Sequence, residues 1–464
     1  MRWPLAAAPL AVQDMAFNLG IQHERWGHFL EQGLGKSALC LADFLYYLAM
    51  DEVRALVMVC PSYLISNWED EVKKWGVDVP VYTWPQKPSP KDAVFIFVIN
   101  TEAVINSGGK FLKEVLQSRR CMMAVDESSL MKNHQASITK TLLELGKLSR
   151  IHRALSGTPM SQSVMDLWSQ LRWCGALNGV NPYAFRNRFA VMGGYMGKQV
   201  KGVKNEDELH QILDSCSIRA TKDQWLDLPD KIYPSPLEYE MTPKQKIAYK
   251  SMLAEFYAEV NGREITAPMV IHQQMKLQQI ARGFILHEGV VEELVEPKDN
   301  PAINTVVKAL ENVRGKTLIF AFHGYSVRVL YERLKAEGFN PVALRGGLDK
   351  EDIARRKEAF NENASVRAMV LQTTAGHRGH TLLGQAGADR CSTTTFYENT
   401  YSLEVRTQAE DRNHRQGQDT GVVYLDLMCS KIDRKPIEAF QRKTNVVDAV
   451  IGAVKSINPN RITV

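Results

Sequence analysis

Short, continuous apolar runs rich in β-branched residues constrain this chain more than any other feature. They are Ala55 to Val59, Ala93 to Ile99, Met122 to Val125, Thr317 to Phe322, Val366 to Leu371, Thr393 to Tyr397 and Val422 to Leu427. An alternating strand needs one buried face, whereas a continuous apolar run needs cover on both. The amphipathic stretches between the runs supply that cover, so parallel α/β sheets flanked by helices are expected. The runs form two groups, in residues 1–215 and 301–464. Between them, Lys244 to Val260 and Ile271 to Phe284 repeat apolar residues at spacings of three and four, as helices do. Turn-forming residues at 205–207, 226–231 and 296–301 mark the boundaries. The expected organisation is an α/β lobe over 1–215, a linker and helical insertion over 216–300, and a second α/β lobe over 301–464.

Composition excludes several classes. With 464 residues, 45% of them hydrophobic, the chain can bury substantial cores, and disorder does not describe it. Seven cysteines without a CxxC pair suit a reducing compartment and argue against a zinc ribbon. No apolar segment approaches the roughly 20 residues of a membrane span. The apolar start, Trp3 to Val12, carries two prolines and follows a single basic residue, which disfavours a signal peptide. A net charge of +5 is compatible with a nucleic-acid partner but does not establish one.

Chemistry concentrates in four segments. Gly33-Leu34-Gly35-Lys36-Ser37 precedes an amphipathic stretch, Ala38 to Met50. Such a loop can wrap backbone N–H groups around phosphates, with Lys36 on the β/γ-phosphates and the Ser37 hydroxyl on Mg²⁺. A Gly-rich turn without a ligand is the alternative. Cys121 to Val125 reads as a buried strand ending in Asp126-Glu127, two carboxylates at the carboxyl edge of a parallel sheet, where ligands bind. Asp126 would hold the metal and Glu127 would activate water. Ser156-Gly157-Thr158-Pro159 closes another strand-like run. The fourth segment runs from Gln408 to Gln418 (QAEDRNHRQGQ), with Arg412 and Arg415 expected on one helix face, suited to neutralising a transferring phosphoryl group.

In this order, these segments resemble the Swi/Snf-like branch of superfamily II helicase-type ATPases. Gln13 resembles the adenine-reading Q motif. Cys60 to Trp68, Asn100-Thr101-Glu102, Lys132-Asn133, Arg219 to Lys222 with the LDLPDK run, and Thr373 to Gly379 resemble further family segments. Two departures stand out: Ser128-Ser129 where a small residue and His are common, and His377-Arg378-Gly379-His380 where a Gly-Leu-Gly-Leu-Asn type run is typical. The first leaves open how hydrolysis is linked to the SGTP segment.

The resemblance implies two RecA-like lobes and an ATP- and Mg²⁺-using motor that hydrolyses ATP on duplex DNA. Gln13, Gly33, Gly35, Lys36, Ser37 and Gln408 would contact nucleotide, and Ser37 and Asp126 the metal. Lys36, Asp126, Glu127, Arg412 and Arg415 would carry catalysis. Ser62, Thr101, Lys132, His323, Arg345 and Thr374 would meet the DNA backbone, with Arg186, Arg188, Lys198, Lys201 and Lys204 as further basic groups. A strand-separating DNA or RNA helicase and a nucleotide-gated DNA-binding scaffold are the alternatives. The expected protein is a compact monomeric motor, without a chromatin-reading module, in a bacterial or virus-infected host cytoplasm.

Overall fold

The computed structural model describes residues 2–160, 163–193, 199–262, 267–373, 381–400, 402–430, 433–434 and 436–438. The chain divides into two compact units, Met1–Asp227 and Leu228–Val464.

The first unit runs α1 (Ala11–Gly20), β1 (Arg25–Leu30), α2 (Lys36–Ala49), β2 (Ala55–Cys60), α3 (Ile65–Lys74), β3 (Val81–Thr83), β4 (Phe95–Asn100), α4 (Thr101–Ile105), α5 (Ser107–Ser118), β5 (Cys121–Asp126), α6 (Ser137–Gly146) and β6 (Ile151–Leu155). It continues through α7 (Asp166–Trp173), α8 (Pro182–Phe189), β7 (Ala190–Gly193), β8 (Gln199–Val203), α9 (Glu206–Cys216), β9 (Ser217–Ala220) and α10 (Lys222–Trp225). The main sheet has the order β3-β4-β2-β5-β6-β1-β9, with every pairing parallel. β2 and β5 are buried along their whole length, as their uninterrupted apolar runs require. β7 and β8 form a separate antiparallel hairpin.

Two central strands escape the apolar signature. β1 carries His28 and β6 carries Arg153, both fully buried. Asp43 of α2 offsets both: its Oδ2 lies 2.9 Å from His28 Nε2 and also accepts from Arg153 Nε. A buried charge persists only when paired, and here one carboxylate joins two strands and a helix.

The second unit runs β10 (Lys231–Ile232), β11 (Leu237–Glu238), α11 (Pro243–Gly262), α12 (Ala267–Ala281), β12 (Phe284–His287), β13 (Val290–Glu293), α13 (Pro301–Glu311), β14 (Lys316–Ala321), α14 (Gly324–Ala336), β15 (Val342–Leu344), α15 (Lys350–Glu362), β16 (Ala368–Gln372), β17 (Cys391–Phe396), α16 (Leu403–Glu410) and β18 (Val422–Met428). Its main sheet, also parallel, follows β10-β18-β17-β14-β16-β15, with β11 alongside β18. Both units are therefore of the parallel α/β, RecA-like class.

The segment 216–300 is shared between the units. β9 completes the first sheet. Tyr249, Leu253 and Phe256 of α11 and Leu277 and Ile280 of α12 pack into one core with Ile303, Val306, Ile319 and Leu330 of the second unit. These helices contribute to a core because their apolar stripe requires cover. Among the described residues, no helix is long and apolar enough to cross a membrane.

Candidate functional site

A parallel sheet places the carboxyl ends of all its strands along one edge. In the first unit, the order of strands therefore sets the order of motifs. Thr101 follows β4, Ser62 lies beyond β2, Asp126 ends β5, Ser156 to Pro159 follow β6, the phosphate-type loop follows β1, and Thr221-Lys222 follow β9. Leu155 of β6 is in register with both His28 of β1 and Asp126 of β5. The SGTP turn thus stands between the loop and the acidic pair.

The loop is built for close backbone approach. Gly33 and Gly35 have φ of 91° and 79°, a left-handed region that disfavours side chains. Gly35 is the N-cap of α2, so Lys36 and Ser37 open a helix whose first N–H groups face the loop. Lys36 Nζ donates to the Leu30 carbonyl at 2.9 Å. Gln13 is almost buried: its Oε1 accepts from Leu10 N at 2.8 Å and its Nε2 donates to the Leu34 carbonyl at 3.4 Å. A Cβ on Gly157 would lie 3.4 Å from Gln32 N, so the SGTP turn packs against the same loop.

Asp126 is 8% exposed, and both carboxylate oxygens are engaged. Trp68 Nε1 donates to Oδ2 at 2.9 Å, and Glu127 N to Oδ1 at 3.0 Å. Burial raises this carboxyl above its ordinary value, against the downward pull of the Lys36 ammonium and the two donors. Glu127 is left-handed, with φ 54° and ψ 57°, a conformation that costs about 1–3 kcal/mol in a non-glycine residue and concentrates at functional sites.

The donor set fits Mg²⁺. Among the described residues there is no group of three or more His, Cys, Asp or Glu that could hold a metal ion. One nearly buried carboxylate beside a hydroxyl-bearing phosphate loop suits an ion that retains waters and shares substrate phosphates.

In the second unit, α16 ends at Glu410, so Arg412 and Arg415 lie in the following turn rather than on one helix face. Side-chain bonding shapes that turn: Gln418 Nε2 donates to the Cys391 and Asn413 carbonyls at 2.9 and 2.8 Å. Arg412 is 4% exposed and its Nε donates to the Gln408 carbonyl at 2.8 Å, while Arg415 is half-buried. Gln408 is itself buried, and its Oε1 has no hydrogen-bond partner among the described residues. The turn is tied to the chain entering this unit, where His414 Nε2 meets the Pro229 carbonyl at 2.8 Å and Glu410 accepts from Lys231 at 3.1 Å and Tyr233 at 2.7 Å.

The residues expected to meet DNA divide. Ser62 and Arg345 are exposed, Lys132 is half-buried and Thr101 is 8% exposed. His323 is 7% exposed, and Gln279 Nε2 donates to its Nε2 at 3.0 Å. Glu398, fully buried, accepts from the backbone N–H groups of Phe322 and His323 and from Ser326 Oγ at 2.6–2.8 Å, drawing the start of α14 onto the sheet. Thr374 lies outside the described residues, as do 375–380 and Lys198.

Two engaged residues carried no role in the motif reading. Trp68 was visible only as an aromatic in a family segment. Glu31, whose Oε2 accepts from Lys222 N at 2.7 Å, gave no signal, because its partner is 191 positions away.

The chain is similar to several known proteins. The chain is 24% identical over 471 residues to the transcription regulatory protein SNF2 of Saccharomyces cerevisiae, covering 92% of this chain and 26% of that protein. It is 22% identical over 437 residues to the uncharacterized ATP-dependent helicase MG018 of Mycoplasma genitalium, covering 92% and 40%. Among solved structures, it is 21% identical to the Sulfolobus solfataricus SWI2/SNF2 ATPase core in complex with dsDNA, covering 98% of this chain and 97% of that chain at a TM-score of 0.46. The chain spans between a quarter and about two-fifths of the length of the curated relatives it matches. The model of the SNF2-related domain matches residues 28–289, from the strand that feeds the phosphate loop to the hairpin after α12, and by that match the chain belongs to the SNF2-related domain family.

Proposed function

We propose that this protein is a DNA-dependent ATPase that translocates along duplex DNA without sustained strand separation. One observation carries the nucleotide half of the reading: Gln13, the Gly33–Ser37 loop and the Asp126-Glu127 pair meet at one sheet edge, with a buried carboxylate under the influence of Lys36. Relatives named as probable ATP-dependent DNA helicases support the DNA half.

In this reading Gln13 reads the adenine, while the loop N–H groups and Lys36 hold the phosphates. Asp126 and Ser37 hold Mg²⁺, which when bound neutralises phosphate charge. Glu127, in a left-handed backbone conformation directly after the strand, takes the proton of the attacking water. Arg415 supplies a guanidinium to the transferring phosphoryl group, and Arg412, anchored on the Gln408 carbonyl, positions the turn. Ser62, Lys132 and Arg345 contact the DNA backbone, which carries no sequence information. Free cysteines fit a reducing cytoplasm.

The test is ATP turnover without nucleic acid and with duplex DNA, single-stranded DNA or RNA, with Lys36→Ala as blank. Duplex stimulation and displacement of a third strand from a triplex are expected. Stimulation by single strands or RNA alone, with unwinding of a forked duplex, would establish a helicase instead.

A further inference from the structure

Gln170 lies on α7, outside every motif, yet its side-chain amide links two of them. Its Oε1 accepts from Ser128 Oγ at 2.7 Å. Its Nε2 donates to the Pro159 carbonyl at 2.6 Å and to the Asp166 carbonyl at 2.8 Å. Ser128 and Gln170 are both fully buried. Ser128 follows Glu127 directly, and Pro159 ends the SGTP turn, which in turn packs on the phosphate loop through Gly157. The strands below are joined by their backbone ladder as far as Asp126 and Leu155, where β5 and β6 end. Beyond that point, the Ser128–Gln170–Pro159 chain bridges the two turns. The Ser128 hydroxyl is the group that reaches Gln170.

We propose that Gln170 is a positioning residue that couples the SGTP turn to Glu127. A displacement of Pro159 moves the Gln170 amide, which moves Ser128 and re-aims the carboxylate one residue before it. The inference rests on the ATPase reading above. A buried amide that merely stabilises the fold would look similar, so the test must read more than stability.

The chain carrying Gln170→Leu, Ser128→Ala or both is assayed for duplex-stimulated ATP turnover. Each single variant is expected to lower kcat about tenfold with KM for ATP within about twofold, and the double variant to fall no further. Gln170→Glu adds a second readout. As a carboxylate it cannot donate to Pro159, but as a neutral acid it can, so its kcat relative to wild type should rise as pH is lowered from about 8 to about 6. Wild-type kcat in Gln170→Leu, additive losses in the double variant, or losses that track a lowered melting temperature would overturn the proposal. Wild-type turnover no greater than that of Lys36→Ala would remove the ATPase reading itself, whereas normal turnover in both wild type and Gln170→Leu removes only the coupling.

Discussion

The side-chain amide of Gln13 lies against the backbone of Gly35, so close that a Cβ there would stand 1.9 Å from its Nε2. Gly35 therefore meets two demands, a φ of 79° and the absence of a side chain. Gly35→Ala is expected to displace Gln13 and weaken ATP binding at least tenfold. Adding Gln13→Ala relieves the collision but leaves the backbone strain of about 1–2 kcal/mol, so the double variant should bind less tightly than Gln13→Ala alone. Fluorescent-nucleotide titration of the three variants measures this, and equal affinities for Gly35→Ala and wild type would refute it.

Trp68 reaches from α3 to Asp126, and its indole N–H is the donor that fixes the Oδ2 side of the carboxylate. Trp68→Phe keeps most of the buried ring and removes that donor. Groups that orient metal-binding carboxylates commonly contribute 10- to 100-fold in metal affinity or activity. The Mg²⁺ concentration for half-maximal turnover should therefore rise about tenfold in this variant. An unchanged Mg²⁺ dependence would assign Trp68 to packing alone.

Much of the fold was legible where burial and apolarity coincide. The runs through Ala55, Met122, Thr317, Thr393 and Val422 match β2, β5, β14, β17 and β18 to within two residues at each end. β1 was not legible, because Arg25 and His28 break its apolar run, and the buried His28 is compensated by Asp43, which comes later in sequence. The candidate phosphate loop was legible as a motif because it is made of contiguous residues, Gly33 to Ser37. The supports of the acidic pair were not: Gln170 lies 42 positions from Ser128 and Trp68 lies 58 from Asp126, and only folding pairs them. His323 shows the converse, a polar residue beyond a strand that a buried glutamate turns inward.

Asp43 makes the first unit sensitive to acid. Burial pushes its carboxyl upward, but Arg153 and His28 more than offset this, and the net shift is below the ordinary carboxylate value. The unfolded chain therefore takes up this proton more readily than the folded one. The stability from this group is complete above the unfolded value of about 3.9 and is lost as pH falls through the lower folded value. Asp43→Asn leaves the Arg153 guanidinium buried without a counter-charge, at a cost of about 3–5 kcal/mol. Denaturant titration should show that loss at neutral pH and a difference from wild type that shrinks as pH falls below the unfolded value of about 3.9. A variant as stable as wild type at neutral pH would show that the carbonyl partners of Arg153 suffice.

Arg345 and His323 follow β15 and β14, the two strands that flank β16 in the second sheet, but face opposite environments. Arg345 is exposed beyond β15, while His323 is buried at the start of α14. If Arg345 meets a DNA phosphate, Arg345→Ala removes one counterion-releasing contact. The slope of log affinity against log salt should then become shallower by about one, with the same loss for duplexes of any sequence. His323→Ala should leave that slope unchanged and lower the melting temperature, because it vacates a buried position and strips Gln279 Nε2 of its acceptor. Fluorescence anisotropy of a labelled duplex between about 50 and 200 mM salt, read beside thermal melts, separates the two cases. A shallower slope for His323→Ala, or an unchanged one for Arg345→Ala, would reverse the assignment made from burial.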